Sequence, residues 1–395
     1  MPDAALSRGQ FCWPRGATGR ELDATRHAAT MRATCQALRW SQTPGRPAGP
    51  GRPRSASAGT CPPAAAPAST RQPHPAADAW ASPPFCTCPV CGGPLTPATS
   101  PTPSLRPPLV CPAGHAYDRG REGHFFLLPT GRKRREAAGP AGDADAQVRA
   151  RRAFFDGGHF DPIHAAAAGA VCEVLGRRRR REGGSTSRPP FVLDAGCGEG
   201  AYARALASHP SRPPATACLG IDVSKPAVRM AASRARGAAG AAAATRFAVA
   251  STFSIPLPPG SVDCVLVAMA PAPPAGELAR VLVPGSGGLV VVRPGPAHLD
   301  GLRRAVYGER ARFEGGGEEK EGGVDDGSSS GDHAPLCLLS RARLTFDLAL
   351  PGPDAAALLG MTPYAWSAGR GLGERLGVEG LETQADVWVE AFGFV

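Results

Sequence analysis

The sequence predicts an α/β protein with a Rossmann-like, doubly wound sheet that is preceded by a small Cys/His segment. Three observations carry this prediction. Short apolar runs alternate with helical segments after residue 190, a glycine-rich loop follows the first of these runs, and four spaced cysteine and histidine residues lie ahead of them. Repeated strand–helix units of this kind build parallel sheets whose helices cover both faces.

Residues 1–84 form the first segment, and their composition does not predict a domain. They contain ten arginines, no lysine and four acidic residues among alanine, serine, proline and glycine. Arg-rich, Ser-rich and acid-poor N-termini are typical of organelle transit peptides. A disordered tail from a GC-biased gene would have the same composition. We expect a disordered tail and an organellar location, with the chloroplast favoured and the mitochondrion as the alternative.

The composition of the whole chain narrows the classes of partner. The 395 residues carry a net charge of +10, which fits a polyanionic partner such as a nucleic acid. No apolar run reaches 18 residues, so the sequence predicts no membrane span. The twelve cysteines are scattered, and some lie in apparent strands, which favours buried thiols over a disulfide framework.

Residues 85–130 are predicted to form a zinc ribbon. Cys88 and Cys91 make one Cys-x-x-Cys knuckle, and Cys111 and His115 make the second pair. Zinc prefers four thiolate or imidazole ligands in a tetrahedron, and about forty residues are too few for a core of their own. Cys86 is a competing ligand, but Cys88 completes the two-residue spacing of the knuckle.

Residues 145–395 are predicted to form the Rossmann-like domain. Buried parallel strands are expected in FVLDAG, ACLGID, RFAVA, DCVLVAM and GLVVVRP, and two more strands in RARLTFDLAL and ADVWVEAFG. Helices are expected between them and in IHAAAAGAVCEVLGRRRRR. Residues 313–335 have seven acidic residues against one lysine, which predicts a disordered surface insertion.

The strongest motif is the loop that follows the first strand of this domain. Asp194 precedes Gly196, Gly198 and Gly200, whose spacing differs from the G-x-G-x-x-G of dinucleotide enzymes. Glycines allow a sharp turn and a close approach to a ligand at a helix start. An acidic residue before such a loop can accept a hydrogen bond from a ligand ammonium group, which suits S-adenosylmethionine.

Two further positions support this cofactor. Asp222 ends the second strand, where a carboxylate can accept both ribose hydroxyls. Ser251 and Thr252 follow the third strand, where an adenine edge would be recognised. NAD binding is the main alternative. His298 lies just past the fifth strand, where a surface position at a helix start is the simpler interpretation of a single histidine.

Other residues have both a functional and a structural interpretation. The arginines at 177–181 would contact phosphate or form a solvated helix end, and Tyr364 and Trp366 would stack on a base or pack in the core. Arg151 and Arg152, with basic residues around the ribbon, are expected to hold phosphates.

These motifs together resemble the bacterial large-subunit (23S) rRNA guanine-N1 methyltransferases of the RlmA type. The resemblance runs from Cys88 to Phe392 and rests on CPVCGGPL, VCPAGHAYD, EGHFFLLP, ARRAFFDGGHF, LDAGCGEG, GIDVSK, ELARVLVPG, PGPAHL and MTPYAW. It implies a class I methyltransferase domain that uses S-adenosylmethionine and an N-terminal zinc ribbon that helps to engage rRNA.

The resemblance also implies site residues. The zinc ligands of the family fall on Cys88, Cys91, Cys111 and His115. Its contacts to S-adenosylmethionine fall on Phe160, Gly198, Glu199 and His298, and Phe160 replaces a tyrosine that is common in the family. The N-terminal tail, the Arg-rich extension, the acidic insertion and a PGSGG turn are departures from the family pattern.

The expected activity is therefore methylation of guanine N1 in a hairpin loop of large-subunit rRNA. The sequence names no catalytic base. A methyltransferase for a small molecule or a protein and a non-catalytic RNA-binding assembly factor are the alternatives. The intact Asp194, glycine loop and Asp222 argue against the non-catalytic alternative.

Overall fold

The computed structural model describes residues 86–98, 107–128, 142–181, 188–236, 245–308 and 336–394. The predicted tail and transit peptide (1–84) and the predicted acidic insertion (313–335) lie outside these residues. The disorder and the organellar location expected from them therefore stay predictions. Among the described residues, no helix combines the length and the apolar character that a membrane span requires.

The secondary structure follows the apolar runs of the sequence. Four two-residue strands come first: β1 Thr96–Pro97, β2 Leu109–Val110, β3 Ala116–Tyr117 and β4 Phe125–Phe126. The remaining strands are β5 Phe191–Ala195, β6 Ala217–Asp222, β7 Thr245–Val249, β8 Cys264–Ala268, β9 Gly288–Pro294, β10 Cys337–Leu350 and β11 Leu381–Gly393. The helices are α1 Asp145–Asp156, α2 Asp161–Arg181, α3 Ala201–Ser208, α4 Lys225–Arg236, α5 Ala275–Val281, α6 Asp300–Tyr307, α7 Gly352–Met361 and α8 Leu372–Glu379, with a 3₁₀ helix at Pro363–Trp366.

The large sheet has eight strands in the order β10-β11-β9-β8-β5-β6-β7-β4. Strands β4 to β9 pair in parallel, whereas β11 runs antiparallel to both β9 and β10. The order reverses between β5 and β8, and ligands of such sheets bind at the carboxyl ends of the strands beside that switch point. The Rossmann-like α/β prediction is confirmed.

The two faces of the sheet are covered differently. Helices α1 to α4 and α6 to α8 contribute buried side chains to the core on one face, and the largest fully buried ones include Phe154 and Leu175. On the other face, α5 and the Cys/His segment share one core with β5 and β6. Leu95, Leu109 and Leu127 in this segment are at most 1% exposed.

The Cys/His segment is therefore part of the larger body. Strands β1, β2 and β3 form its own antiparallel sheet. Strand β4 instead pairs with β7, and the Leu127 amide donates to the Val249 carbonyl at 2.8 Å. The Thr87 amide donates to the Pro256 carbonyl at 2.9 Å. The predicted ribbon segment thus also contributes a strand to the large sheet, and a pairing so distant in sequence leaves no local pattern. The domain boundary at residue 130 stays a prediction.

Candidate functional sites: a cleft at the switch point and a Cys/His cluster

A cleft of about 480 Å³ opens at the carboxyl ends of the central strands. Its wall combines the segment before and within α1, the loop after β5, the end of β6, the loops after β7, β8 and β9, and the 3₁₀ helix. This is the position that the switch-point rule predicts for a ligand.

The loop after β5 forms the floor of the cleft. Gly196 and Gly198 line it with φ angles of 79° and 53°, in the left-handed region that favours glycine. A Cβ atom on Gly196 would lie 2.5 Å from the Ala270 side chain. The turn geometry therefore requires glycine at both positions, as predicted. At Gly196, the close approach of the Ala270 side chain requires it as well.

Asp222 lies on the cleft wall at the end of β6, as predicted. Its Oδ2 accepts the Gly198 amide at 3.0 Å and its Oδ1 accepts the Ser224 amide at 2.8 Å. Burial raises the pKa of this carboxyl group, while the two amides act in the opposite direction. Each oxygen keeps a lone pair for a further donor, so the side chain is fixed and still able to accept hydroxyl groups.

Four other predicted cofactor residues also line the cleft. Phe160, Glu199, Thr252 and His298 all contribute to its wall. The Glu199 carboxylate, however, is paired with Arg204 at 2.7 Å and with Arg234 at 3.6 Å. The carboxylate of Glu199 therefore ties the loop to two helices.

Three predicted cofactor residues do not line the cleft. Asp194 is 1% exposed and lies beneath the loop, where burial and then Asp222 raise its pKa to about 7. Gly200 has a φ of 83°, and its hydrogens face Ala231 and Phe247. The Ser251 hydroxyl accepts the Phe253 amide at 3.1 Å and is buried. These residues lie behind the surface of the cleft, and the cofactor contacts expected of them from the sequence stay predictions.

The side chain of His298 is held in one orientation. Its Nδ1 accepts the Asp386 amide at 3.2 Å, and its ring centroid lies 5.9 Å from that of Phe160. Burial lowers the pKa of His298 to about 4. The ring is therefore neutral at physiological pH, and its proton lies on Nε2 as a hydrogen-bond donor.

Asp386 shapes the whole loop that carries His298. Its carbonyl accepts the Gly295 amide at 2.7 Å and its Oδ2 accepts the Ala297 amide at 2.9 Å. Arg343 holds the same carboxylate with two bonds of 2.8 and 2.9 Å. Sequence analysis missed this support, because Asp386 lies 88 positions from His298 in the chain.

Sequence analysis also missed part of the cleft wall. Asp143 and Arg151 line the cleft and form an ion pair with each other, and Arg151 also donates to the Met361 carbonyl at 3.2 Å. Arg151 was expected to hold RNA phosphate, but it is committed to the wall of the cleft. Arg152 instead pairs with Asp156 at the surface. No local signal marks Asp143, because its segment has the composition of a linker.

Exposed apolar side chains surround the mouth of the cleft. Phe253, Met269 and Trp366 are 46%, 38% and 78% exposed, and all three line it. Large exposed apolar groups that gather at one opening mark a binding surface. The alternative in which Trp366 packs in the core is wrong.

The second site is a cluster of Cys88, Cys91, Cys111 and His115, whose ligand atoms lie within 4.8 Å of one another. The Cys91 and Cys111 sulfurs are 3.6 Å apart, and the Cys111 sulfur lies 3.3 Å from His115 Nδ1. Tetrahedral zinc with bonds of about 2.0–2.3 Å needs ligand separations of about 3.3–3.8 Å. The four residues therefore fit one zinc ion.

The surroundings of Cys88 favour its thiolate, whereas the neighbouring cysteines of the cluster raise the pKa of Cys91. Burial raises the pKa of Cys88, but hydrogen bonds from Tyr117 and from backbone amides outweigh it and lower the pKa to about 7. Gly92 and Gly114 have φ angles of 71° and 81° in the two predicted ligand turns. Cys86, the competing ligand, is buried and lies outside the cluster, and burial raises its pKa well above the usual range.

Residues 192–285 match the family described as a methyltransferase domain. A putative 23S rRNA (guanine-N(1)-)-methyltransferase of Micromonospora griseorubida is 40% identical over 220 residues, which cover 55% of this chain and 68% of the relative. The 23S rRNA (guanine(748)-N(1))-methyltransferase of Streptomyces fradiae is 32% identical and covers 71% of this chain and 86% of its own length.

Two solved structures also match part of this chain. A putative methyltransferase from Bacillus halodurans C-125 is 13% identical, with a TM-score of 0.31, and covers 52% of this chain and 92% of its own. A geranyl diphosphate methyltransferase is 16% identical, with a TM-score of 0.33, and covers 66% of this chain and 95% of its own.

Proposed function

The chain belongs to the 23S rRNA (guanine-N1)-methyltransferase family, and from that premise we propose that it methylates N1 of an unpaired guanine in large-subunit rRNA. The observation that carries the proposal is a single cleft with a surface for the cofactor on one side and a surface for a nucleic-acid base at its mouth. The glycine loop and Asp222 form the cofactor side, and exposed aromatic side chains form the mouth.

The cofactor side of the cleft fits S-adenosylmethionine, which supplies an activated methyl group when bound. Asp222 would accept the ribose hydroxyls, and Thr252 lies where the adenine would be recognised. The neutral His298 offers an Nε2 proton to an acceptor in the cleft. Because the methyl group is already activated, the main task of these side chains is to hold the reacting atoms in line.

The substrate side must admit a base whose Watson–Crick edge is free. Guanine N1 lies on that edge, so the base is unpaired or flipped out when it reacts, at the lowest cost in a loop. The aromatic mouth offers a stacking surface for such a base. Two carboxylates on the wall are already engaged, Asp143 with Arg151 and Glu199 with Arg204, and Asp222 is assigned to the ribose. None of the three is therefore assigned as the base that removes the N1 proton.

The Cys/His cluster is proposed to hold one structural zinc ion. It offers four protein ligands, as structural zinc sites do, and three of the separations between their ligand atoms are 3.3–3.6 Å. Arg119 and Arg121 are exposed on the same segment, where they would meet RNA phosphates without reading sequence.

We expect purified protein to transfer label from tritiated S-adenosylmethionine to unmodified 23S rRNA, and nucleoside analysis to find it in N1-methylguanine. An rRNA that already carries this methyl group is the matched control and should take up no label. Label in another nucleoside, or in tRNA but not in rRNA, would contradict the substrate. Transfer to proteins or metabolites alone would favour a methyltransferase for a small molecule or a protein. No transfer at all would favour a non-catalytic RNA-binding assembly factor.

Trp366→Ala is expected to raise the KM for rRNA by roughly 5–100-fold, because stacking of a base on an aromatic side chain contributes about 1–3 kcal/mol. Trp366→Phe keeps an aromatic face and should keep most of the affinity. Binding of S-adenosylmethionine, measured by calorimetry, should change little in both variants. A wild-type KM in Trp366→Ala would remove this side chain from the substrate site.

A further inference from the structure

Helix α2 connects the cleft to the opposite edge of the sheet. It begins at Asp161, next to Phe160 in the cleft wall, and ends at Arg181. Its 21 residues span about 30 Å at 1.5 Å per residue. Its last turn lies at the amino ends of the strands, since Arg178 contacts Asp263 directly before β8. The five consecutive arginines at 177–181 are therefore about one helix length from the reaction centre.

One of these arginines has a structural role. The Arg178 side chain is 4% exposed and lies 3.0 Å from the carboxylate of Asp263. Arg188 binds the same carboxylate with two bonds of 2.6 and 2.7 Å, and the Phe191 amide donates to it at 2.7 Å. This buried group fixes the end of α2 against the start of β5 and β8.

The other four arginines, called here the arginine tract, point towards solvent. They are Arg177, Arg179, Arg180 and Arg181, and all four are exposed. Arg177 is paired with the exposed Glu173 at 3.3 Å, an i,i+4 contact of small energy. Consecutive helical residues are 100° apart, so the tract spreads positive charge around the end of the helix.

A cavity adjoins the tract. It has a volume of about 290 Å³ and is lined by Arg178, Arg179, Arg188 and four prolines of the neighbouring loops. A guanidinium group only donates hydrogen bonds and matches a phosphate with two parallel bonds. Arg178 and Arg188 are held in this wall by Asp263, and Arg179 adds the positive charge of the tract beside them.

We propose that the arginine tract binds the phosphate backbone of the substrate RNA about 30 Å from the site of methyl transfer. This inference rests on the proposed function, because the substrate is then a polyanion much larger than the cleft. The tract adds affinity without reading sequence, since phosphates are the same at every nucleotide. A short loop that fills the cleft cannot reach the tract, whereas a longer stem-loop can contact both.

The test replaces Arg177, Arg179, Arg180 and Arg181 together by alanine and leaves the buried Arg178 in place. The matched control replaces the same four residues by lysine, which keeps the charge. Binding is measured over a range of KCl concentrations with two RNA probes, a long 23S rRNA fragment and a short oligonucleotide with only the target loop.

The alanine variant is expected to bind the long fragment at least tenfold more weakly, and the slope of log affinity against log salt should fall by about 3. It should bind the short loop within about twofold of the wild type, and the lysine variant should keep most of the affinity for the long fragment. Unchanged binding of the long fragment, equal losses on both probes, or an equally weak lysine variant would each overturn the proposal. Methylation of both RNAs by the wild type would uphold the proposed function even if the arginine tract proved not to bind RNA. A failure of the tract proposal is therefore distinguishable from a failure of the proposed function.

Discussion

From the proposed zinc site it follows that protein with Cys111→Ser is expected to contain no zinc and to unfold at a temperature lower by roughly 6–12 °C, the shift for a loss of about 3 kcal/mol in a domain of this size. Cys111 is 3% exposed and lies between Cys91 and His115 in the cluster. Serine is a poor zinc ligand, and the segment shares its core with strands of the large sheet. The loss should therefore destabilise the whole described body as well as the Cys/His segment.

Metal analysis and a thermal melt of the full chain measure both effects. Cys86→Ala is the matched control, because Cys86 is equally buried and two positions from Cys88 but lies outside the cluster. The wild type and the control should each contain one equivalent of zinc. A Cys111→Ser protein with a full equivalent, or a control that loses it, would contradict the ligand assignment.

The second large effect is expected at Asp263. Alanine at this position leaves Arg178 buried without its counter-charge and removes the acceptor of the Phe191 amide. Loss of one partner of a buried ion pair costs about 3–5 kcal/mol. Denaturation by urea at constant zinc should show this loss as a lower midpoint with an unchanged slope.

Two further variants sharpen this test. Asp263→Asn keeps the shape and the acceptor oxygen but not the charge, so we expect it to be destabilised as well. Glu173→Ala removes the exposed partner of Arg177 and should change the free energy of unfolding by less than about 1 kcal/mol. If Asp263→Ala were no less stable than Glu173→Ala, the buried cluster would not fix the end of α2.

The sequence predicted the parts of the molecule that depend on local chemistry. The buried strands are short apolar runs, the turn at Gly196 and Gly198 needs glycine, and the two knuckles have their own spacing. The structure bears out all three. The position of Asp194, by contrast, follows from the alternation of side chains along β5, which turns its carboxylate away from the cleft and places it behind the loop.

The missing parts depend on contacts between distant segments. Asp143 and Arg151 belong to the cleft wall through hydrogen bonds with Ser224 and Met361, and Asp386 supports His298 from the last strand. The pairing of β4 with β7 is of the same kind. Hydrophobic periodicity reports which face of a strand or helix is buried, but not which distant residue it meets.

The shared core of the Cys/His segment and the large sheet has a consequence for the protein in the cell. The segment is synthesised before the strands that it covers, and among the described residues it shares the cover of that face with α5 and the loop residues around Ile255 and Leu257. If the cluster holds the proposed zinc ion, a newly made chain without zinc would leave these apolar strands open to chaperones and proteases. We expect zinc supply during translation to set how much of the enzyme accumulates, so that in zinc-starved cells rRNA modification falls through the abundance of the protein rather than through its turnover number.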